Sequence, residues 1–315
     1  MTSELPARPF RFGVEEHNTP SAAAWRDRAR LLESLGYSTL YIPDHFGDQM
    51  GPIAALMSAA DATTRLRIGS LVFDNDYRHP VVLAKEAATL DLLSDGRFDM
   101  GVGAGWMASD YEQSGIPFDP PGVRIDRMAE ALQIIKQFFT GGIVSFSGKH
   151  YKVEGLQAAP LPVQRPHPRV LIGGGGRRML QLAAREADIT SVNYNLREGR
   201  VNRKMVHTGM AAATDEKLGW IMEAAGDRLA QVELSASIFV ANVTDDRGAV
   251  AESMAAGLDT EAQEVLEMPH FLIGSVDQLV ESLLARRERY GISHFVFPGF
   301  AAESLAPVVE RLTGT

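Results

Sequence analysis

The chain is 315 residues long, 45% hydrophobic and 23% charged, with a formal net charge of −9. That acidic balance argues against a nucleic-acid partner gripped through its phosphates, the lack of cysteine excludes disulfides, thiolate nucleophiles and cysteine-held metals, and no apolar run reaches bilayer length. The opening stretch MTSELPARPFRFGV has no apolar signal core, so a cytoplasmic protein bound to neither membrane nor nucleic acid is expected.

Residues 10–14 (FRFGV) predict a first strand. Thr19-Pro20 reads as an N-cap followed by proline at the first helical position, and Trp25, Ala29, Leu32 and Leu35 recur at helical spacing until Gly36. Residues 38–43 predict the second strand and 51–63 the second helix. The third strand is placed over 67–73 (RIGSLVF), and a helix after Pro80 turns Val81, Ala84, Ala88 and Leu92 inward before the Asp95-Gly96 turn signal. Residues 97–105 predict the fourth strand and 122–139 the fourth helix, with Met128, Leu132, Ile135 and Phe138 or Phe139 inward. Proline-punctuated residues 140–166 read as a hairpin-like excursion. A fifth strand (169–174), fifth helix (177–187) and sixth strand (188–193) follow, then a polar stretch over 194–213, with a possible helical turn, and a sixth helix from 214 to 225. The seventh strand is placed over 233–241, and a further excursion over 242–272 holds a short helix at 247–256. Ser275 and Gln278 have capping-box spacing at the start of the seventh helix, whose inward face includes Arg286; the eighth strand covers 293–298 and a last helix 303–312.

About eight strands alternating with about eight helices is the number that closes a parallel (β/α)8 TIM barrel. An open doubly wound sheet uses the same alternation, but the strands are spread evenly and no GxGxxG opens the first unit. No linker divides residues 1–315, which are expected to form a single α/β domain.

A closed barrel gathers its chemistry at the C-terminal strand ends. The polar residues there are Glu15, Glu16, His17 and Asn18; Asp44 and His45; Asp74, Asn75 and Asp76; Gly103, Gly105 and Trp106; and Asn193, Tyr194 and Asn195. After the fifth strand come four glycines, Gly173 to Gly176, running into Arg177 and a helix. Free amides and the helix dipole then converge on one spot suited to a phosphate, although such a run also serves as a tight packing turn. Asp44-His45 follows an apolar strand, and a histidine there exchanges protons near neutral pH with a neighbouring carboxylate to orient it. A lone histidine is as often structural or solvated; His17 is a rival, and His79, just before a helix-starting proline, reads as structural. No HExxH or other metal-ligand spacing and no GxSxG elbow is present, so neither a metal site nor a serine hydrolase is expected. Acidic residues at several strand ends leave a carboxylate-pair glycosidase open, with few aromatic platforms for a sugar.

The segments LGYSTLYIPDHF (35–46), RLRIGSLVFDNDYRHPVVLAKEAATLDLLSDGRFDMGVGAGW (65–106), PRVLIGGGGRRMLQLAAREADI (168–189) and FLIGSVDQLVESLLARRERYGISHFVF (271–297) together resemble the luciferase-like monooxygenase superfamily, and within it the branch dependent on the deazaflavin coenzyme F420. The resemblance implies a bacterial-luciferase-like barrel with the cofactor, F420 or alternatively FMN, at its mouth. It places Asp44 and His45 beside the ring, with His45 as the catalytic proton donor or acceptor. It implies a non-proline cis peptide at Leu71-Val72, with Ser70-Leu71 as neighbour, against the ring face. Gly103, Ala104, Gly105 and Trp106 would border the ring edge, and Gly173, Gly174, Gly175 and Gly176 with Arg177 would hold the phosphate. Trp106 stands where the family's sugar-phosphate dehydrogenases carry a glutamate, which argues against a sugar-phosphate substrate, and the luciferases' reactive cysteine is impossible here.

The implied reaction is hydride transfer from reduced deazaflavin to an electron-poor C=C, C=N or C=O, with Glu15, Glu16, His17, Asn75 and Asn193 as candidates for orienting the substrate. That substrate is expected to be a small metabolite, a modified peptide or another natural product, and the family habit implies a homodimer. An FMN-dependent monooxygenase and a non-catalytic flavin or deazaflavin carrier are the alternatives.

Overall fold

The computed structural model describes Leu5 and residues 8–315, so of the opening stretch expected to lack a signal core, Met1–Glu4, Pro6 and Ala7 lie outside the described residues. The strands are β1 (Arg11–Glu15), β2 (Thr39–Ile42), β3 (Arg67–Ser70), β4 (Phe73–Asp74), β5 (Phe98–Gly103), β6 (Ile143–Ser147), β7 (Lys152–Gln157), β8 (Arg169–Gly174), β9 (Ile189–Val192), β10 (Glu233–Ser237), β11 (Val240–Val243), β12 (Phe271–Gly274) and β13 (Ile292–Pro298). The helices between them are α1 (Ala22–Ser34), α2 (Pro52–Ala62), α3 (Pro80–Leu93), α4 (Ala108–Ser114), α5 (Pro121–Thr140), α6 (Arg177–Glu186), α7 (Arg203–His207), α8 (Ala211–Ala225), α9 (Arg247–Leu258), α10 (Ala262–Glu267), α11 (Val276–Tyr290) and α12 (Ala306–Leu312).

Eight strands form a closed parallel barrel in the order β1, β2, β3, β5, β8, β9, β10, β13 and back to β1. Helices cover its outer wall, so the strands are buried on both faces and read as near-continuous apolar runs. Outward residues such as Phe12, Leu40, Met100 and Ile172 pack with Trp25, Ala29 and Leu32 of α1 and the other helices in one core. Inside, Tyr41, Leu171, Ile189 and Val296 form a smaller cluster. Tyr41 fits because β1 and β3 carry glycines opposite it: a Cβ at Gly13 or Gly69 would come within 2.7 or 2.6 Å of its ring.

The strand starts are closed by charge. Asp99, fully buried, accepts from Arg67 Nη2 at 2.6 Å and Arg169 Nη2 at 2.8 Å, and Glu233 binds Arg11 at 2.5 Å. Burial alone would raise the Asp99 carboxyl, but Arg169, Arg67 and Arg11 hold it below the usual carboxylate range.

The three excursions fall where the sequence places them. The first is the antiparallel hairpin β6–β7, the second the loop carrying α7, and the third the segment from β11 to β12 with its own small core around Val265, Met268 and Phe271. Several local expectations are corrected. The cap of α1 is Ser21, whose Oγ accepts the Ala24 N–H at 3.1 Å; Thr19 is instead engaged by the Asn18 side chain. The third strand breaks after Ser70 at a cis Leu71–Val72 peptide and resumes as β4 beside β5. In α3, Leu92 is 43% exposed and Asp91 takes the inward place, because its carboxylate receives the Val163 and Gln164 amides. The seventh strand is two: after Ser237 the chain steps off the barrel, Phe239 N–H bonds His270 O, and β11 pairs in parallel with β12. Helices α4 and α10 and strand β12 were not expected.

Removal of the Asp99 carboxylate strands three guanidinium groups around one buried position. Asp99→Ala should cost about 3–5 kcal/mol in denaturant unfolding at pH 7. The deficit should shrink as pH falls below about 4, where the unfolded carboxyl takes up a proton first, and vanish once pH has passed the lowered native value.

Candidate active site

The strand ends at the opposite rim surround one cavity of about 1160 Å³. Most of the residues singled out from the sequence meet there: Glu15 and His17; Asp44 and His45; Leu71 and Val72; Gly103 to Trp106; Gly173 to Gly176 with Arg177; and Asn193. Three do not. Glu16 turns aside to bind Arg28 at 2.7 Å, packing over Gly299. Ser70 is fully buried in the wall and donates to Gly101 O at 2.7 Å. Asn75 is 1% exposed, with its Nδ2 donating to the Tyr151 hydroxyl at 3.3 Å.

The partner of His45 is not its neighbour in sequence. Asp44 faces the other way, ion-paired with Arg78 and accepting the Asp74 N–H at 3.1 Å, so it serves as a charge anchor. Asp110, on α4, lies 2.6 Å from His45 Nδ1 and also receives the Tyr77 hydroxyl at 3.2 Å. An ionised carboxylate only accepts, so Asp110 fixes a proton on Nδ1 and leaves Nε2 as the exchanging atom. Trp106 stands edge-on to the imidazole at 5.7 Å, and the His45 side chain is 26% exposed. The rival His17 is half exposed and bound to Glu15 at 3.3 Å; its hydrogen bond to Glu15 outweighs partial burial and raises its pKa.

Helix α6 begins at Gly176 with no side-chain cap and no acidic residue in its first turn. Its first amides therefore point to the cavity without an internal partner, the arrangement that suits an anion. The four glycines divide by role. A Cβ at Gly174 would overlap Met179, and one at Gly175 would overlap the Asn193 and Tyr194 carbonyls, whereas Gly173 and Gly176 have ordinary room. Packing thus requires two of the four, and the close approach at Gly175 sets the loop against the barrel rim. Arg177 lines the cavity, but its guanidinium pairs with Glu223 at 3.0 Å.

Several supports lay outside the sequence reading. Lys217, 2% exposed, donates to the Asn193 carbonyl at 2.7 Å and to that of Thr208; burial lowers its pKa to about 8. Arg124, equally buried, donates to Gly105 O at 2.8 Å and stacks over Phe118 at 4.2 Å. The far wall is apolar and comes from the excursions: Val201, Met205, Phe239, Met254, Leu258 and Phe271. Among the described residues no helix is long and apolar enough to cross a membrane, and no group of His, Cys, Asp and Glu converges as a metal site.

One rim of the closed parallel barrel thus gathers a glycine-lined helix start, a held imidazole and an apolar chamber. The chain belongs to the luciferase-like monooxygenase family, whose profile matches residues 7–294, a family of oxidoreductases. It is 34% identical over 194 residues to an uncharacterised protein of Mycobacterium tuberculosis and 38% identical over 128 residues to the 4-hydroxyprotoasukamycin monooxygenase of Streptomyces nodosus subsp. asukaensis. These matches cover 54% and 39% of this chain, and 66% and 34% of the two relatives. Its fold is similar to that of the coenzyme F420 dependent tetrahydromethanopterin reductase of Methanopyrus kandleri, with a TM-score of 0.76 and 19% identity over 97% of this chain and 100% of the reductase.

Because the four glycines differ in the space around them, substitutions should separate packing from permissiveness. Gly175→Ala should destabilise the protein by about 1–3 kcal/mol through overpacking against the 193–194 backbone. Gly176→Ala should change stability by less than about 0.5 kcal/mol, both read by thermal unfolding.

Proposed function

We propose that this chain is an oxidoreductase that uses the deazaflavin coenzyme F420 to pass hydride to an electron-poor C=C, C=N or C=O group. The observation that carries the reading is the meeting, in one cavity, of an uncapped helix start behind a glycine run with an imidazole fixed by a buried carboxylate. The residues fit such a cofactor. The α6 amides would take its phosphate, Leu71 and Val72 would lie against the ring face, and the stretch from Gly103 to Trp106 would border its edge. When bound, the deazaflavin supplies a hydride. The protein's own share is to orient the acceptor and to move a proton. His45, with Nδ1 committed to Asp110, gives or takes that proton at Nε2. Asp44 keeps Arg78 and the strand end in place and exchanges no proton itself.

The excursion wall supports a large, mainly apolar acceptor over a phosphorylated sugar. Val201 is 70% exposed and Phe239 42% exposed, and both line the cavity, where an apolar ligand would cover them. Met205 and Met254 add adaptable surface beside them. The cavity exceeds the usual ~300–1000 Å³ of a single-ligand pocket, leaving room for cofactor and acceptor together. A natural product in a tailoring reaction fits this description.

An FMN-dependent monooxygenase is the second reading, favoured by the 38% identity over 128 residues to the 4-hydroxyprotoasukamycin monooxygenase. Equilibrium titration with F420 and with FMN, followed by an oxygen-uptake assay, separates the two. Binding of F420 without substrate-coupled oxygen uptake is expected. Preference for FMN with coupled uptake would favour the monooxygenase; binding without turnover on any acceptor would leave a carrier, and binding of neither a hydrolase. On the leading reading, His45→Ala lowers turnover about 10²–10⁴-fold while cofactor affinity changes little; unaltered turnover removes His45 from the chemistry.

A further inference from the structure

We propose that Asp74 is a second proton-carrying group of the cavity, placed to give a hydrogen bond or a proton to the ligand held there. The inference rests on the oxidoreductase reading for the identity of that ligand, but not for the state of the carboxyl.

Asp74 ends β4, is 6% exposed and borders the cavity. Around it lie two other buried carboxylates, each compensated by an arginine. Asp44 is paired with Arg78, and Asp76 is clasped by Arg127 through two contacts of 2.8 Å. Arg124, the other cation nearby, lies over the Tyr111 ring at 5.7 Å and spends its Nη1 on Gly105 O. Among the described residues no cation pairs with Asp74 itself. Its partners are the Asp76 N–H at 2.9 Å and the Tyr111 hydroxyl, 3.2 Å from Oδ1 and 3.0 Å from Oδ2.

The hydrogen bonds around Tyr111 favour a proton on Asp74. The same Tyr111 hydroxyl also lies 3.1 Å from Asp76 Oδ2. If Asp74 were ionised, the single Tyr111 proton could serve only one of the three carboxylate oxygens around it, leaving Asp74 with the Asp76 N–H as its one other donor. With a proton on Asp74 the chain is complete: Asp74 donates to the Tyr111 oxygen, Tyr111 donates to Asp76, and Asp76 stays ionised against Arg127. Tyr77, whose ring lies 5.7 Å from that of Tyr111, gives its own proton to Asp110 and cannot substitute. The electrostatics agree. Burial, with Asp76 and Asp44 as like charges, outweighs the Asp76 amide and the Tyr111 hydroxyl and pushes Asp74 up to about 7.

Helix α4 thus serves both proton carriers with consecutive side chains, Asp110 for His45 and Tyr111 for Asp74. When an acceptor takes hydride from the reduced deazaflavin at one atom, its neighbouring atom gains an electron pair. One proton completes the reduction: where Asp74 and not His45 faces that atom, the Asp74 O–H bond would break, the proton would pass to that pair, and the carboxylate would regain a proton from solvent water.

The test begins on the unloaded protein, with 13C-labelled aspartate side chains followed by NMR against pH. One carboxyl resonance, lost in Asp74→Asn, should titrate near pH 7. A midpoint at or below about 5 would overturn the proposal. Thermal unfolding gives a second readout: the melting temperature of Asp74→Asn relative to the parent should be higher at pH 8 than at pH 5, because between about pH 4 and 7 the parent's unfolded carboxyl ionises while its native carboxyl stays protonated. An equal difference at both values counts against the idea. Should that variant fail to fold, Asp76→Asn frees Arg127 to compensate Asp74, and the same midpoint should fall by a unit or more; an unmoved midpoint counts against it. In the F420-loaded enzyme, Asp74→Asn should lower turnover about tenfold or more near pH 6 with cofactor affinity retained, and unchanged turnover would overturn the proton-donating role. If neither F420 nor FMN binds, the oxidoreductase reading fails while the carboxyl titration still decides the state of Asp74.

Discussion

Two carboxylates tie five strand starts together. Asp99 on β5 receives Arg67 from β3 and Arg169 from β8, and Glu233 on β10 receives Arg11 from β1. Each of these side chains occupies the first or second position of its strand, so the network seals one rim of the barrel. A charge pair out of water is stable only when its geometry is complete, which here fixes relative strand register at five points. The rest of the interior follows from that seal. Tyr41 fills the middle between two glycines, and only the opposite rim is left hollow. The cavity lies at the open end because the other end is already filled by charge and ring.

At the hollow rim the charges divide differently. Asp44 and Asp76 are matched with Arg78 and Arg127 and act as fixed posts. Asp110 instead holds an imidazole, and Asp74 holds only hydroxyl and amide donors. Carboxylates of one residue type, packed within one rim, thus take three roles, set by whether the partner is a guanidinium, an imidazole or a hydroxyl. The same division explains why proximity in sequence misleads. Asp44 and His45 are neighbours along an extended strand end, where successive side chains point to opposite sides. They therefore cannot serve one another, and the carboxylate for His45 arrives from 65 positions further on.

The barrel was legible because a buried parallel strand and an amphipathic helix leave strong, repeated patterns. The glycine run, the Ser275 capping box and the Pro80 helix start were legible for the same reason: each has one local backbone solution. What escaped was set by tertiary partners. Leu92 reads as inward by period, yet Asp91 wins the place because it caps two amides of a distant loop. The run 233–241 reads as one strand, yet it divides where its hydrogen bonds pass from Val296 to His270. Helix α4 has seven residues, too few to show a period, and ends at Gly115 in the left-handed region. Of the site, the cavity floor around His45 and the glycines could be named from residue types. Its positioning layer could not, because Asp110, Tyr111, Arg127 and Lys217 carry no local motif.

That layer sets the limits on the chemistry. A histidine at a barrel mouth titrates near neutrality with either nitrogen exposed, and so has no fixed direction of proton flow. Holding Nδ1 against a buried carboxylate removes one of the two tautomers and points the other nitrogen into the cavity. The excursion wall then separates two tasks in space. On the proposed reading the polar half, built on β2, β4 and α4, would handle protons; the apolar half, built on the segment between β11 and β12 and on α7, offers surface without charge. On that reading an acceptor lying across both halves would be oriented by its own polarity, with its reducible end toward the imidazole and its apolar body toward Phe239 and the methionines. Substrate choice on the proposed reading depends on the excursions, and the direction of proton movement on α4, so changes to one wall leave the other's task intact.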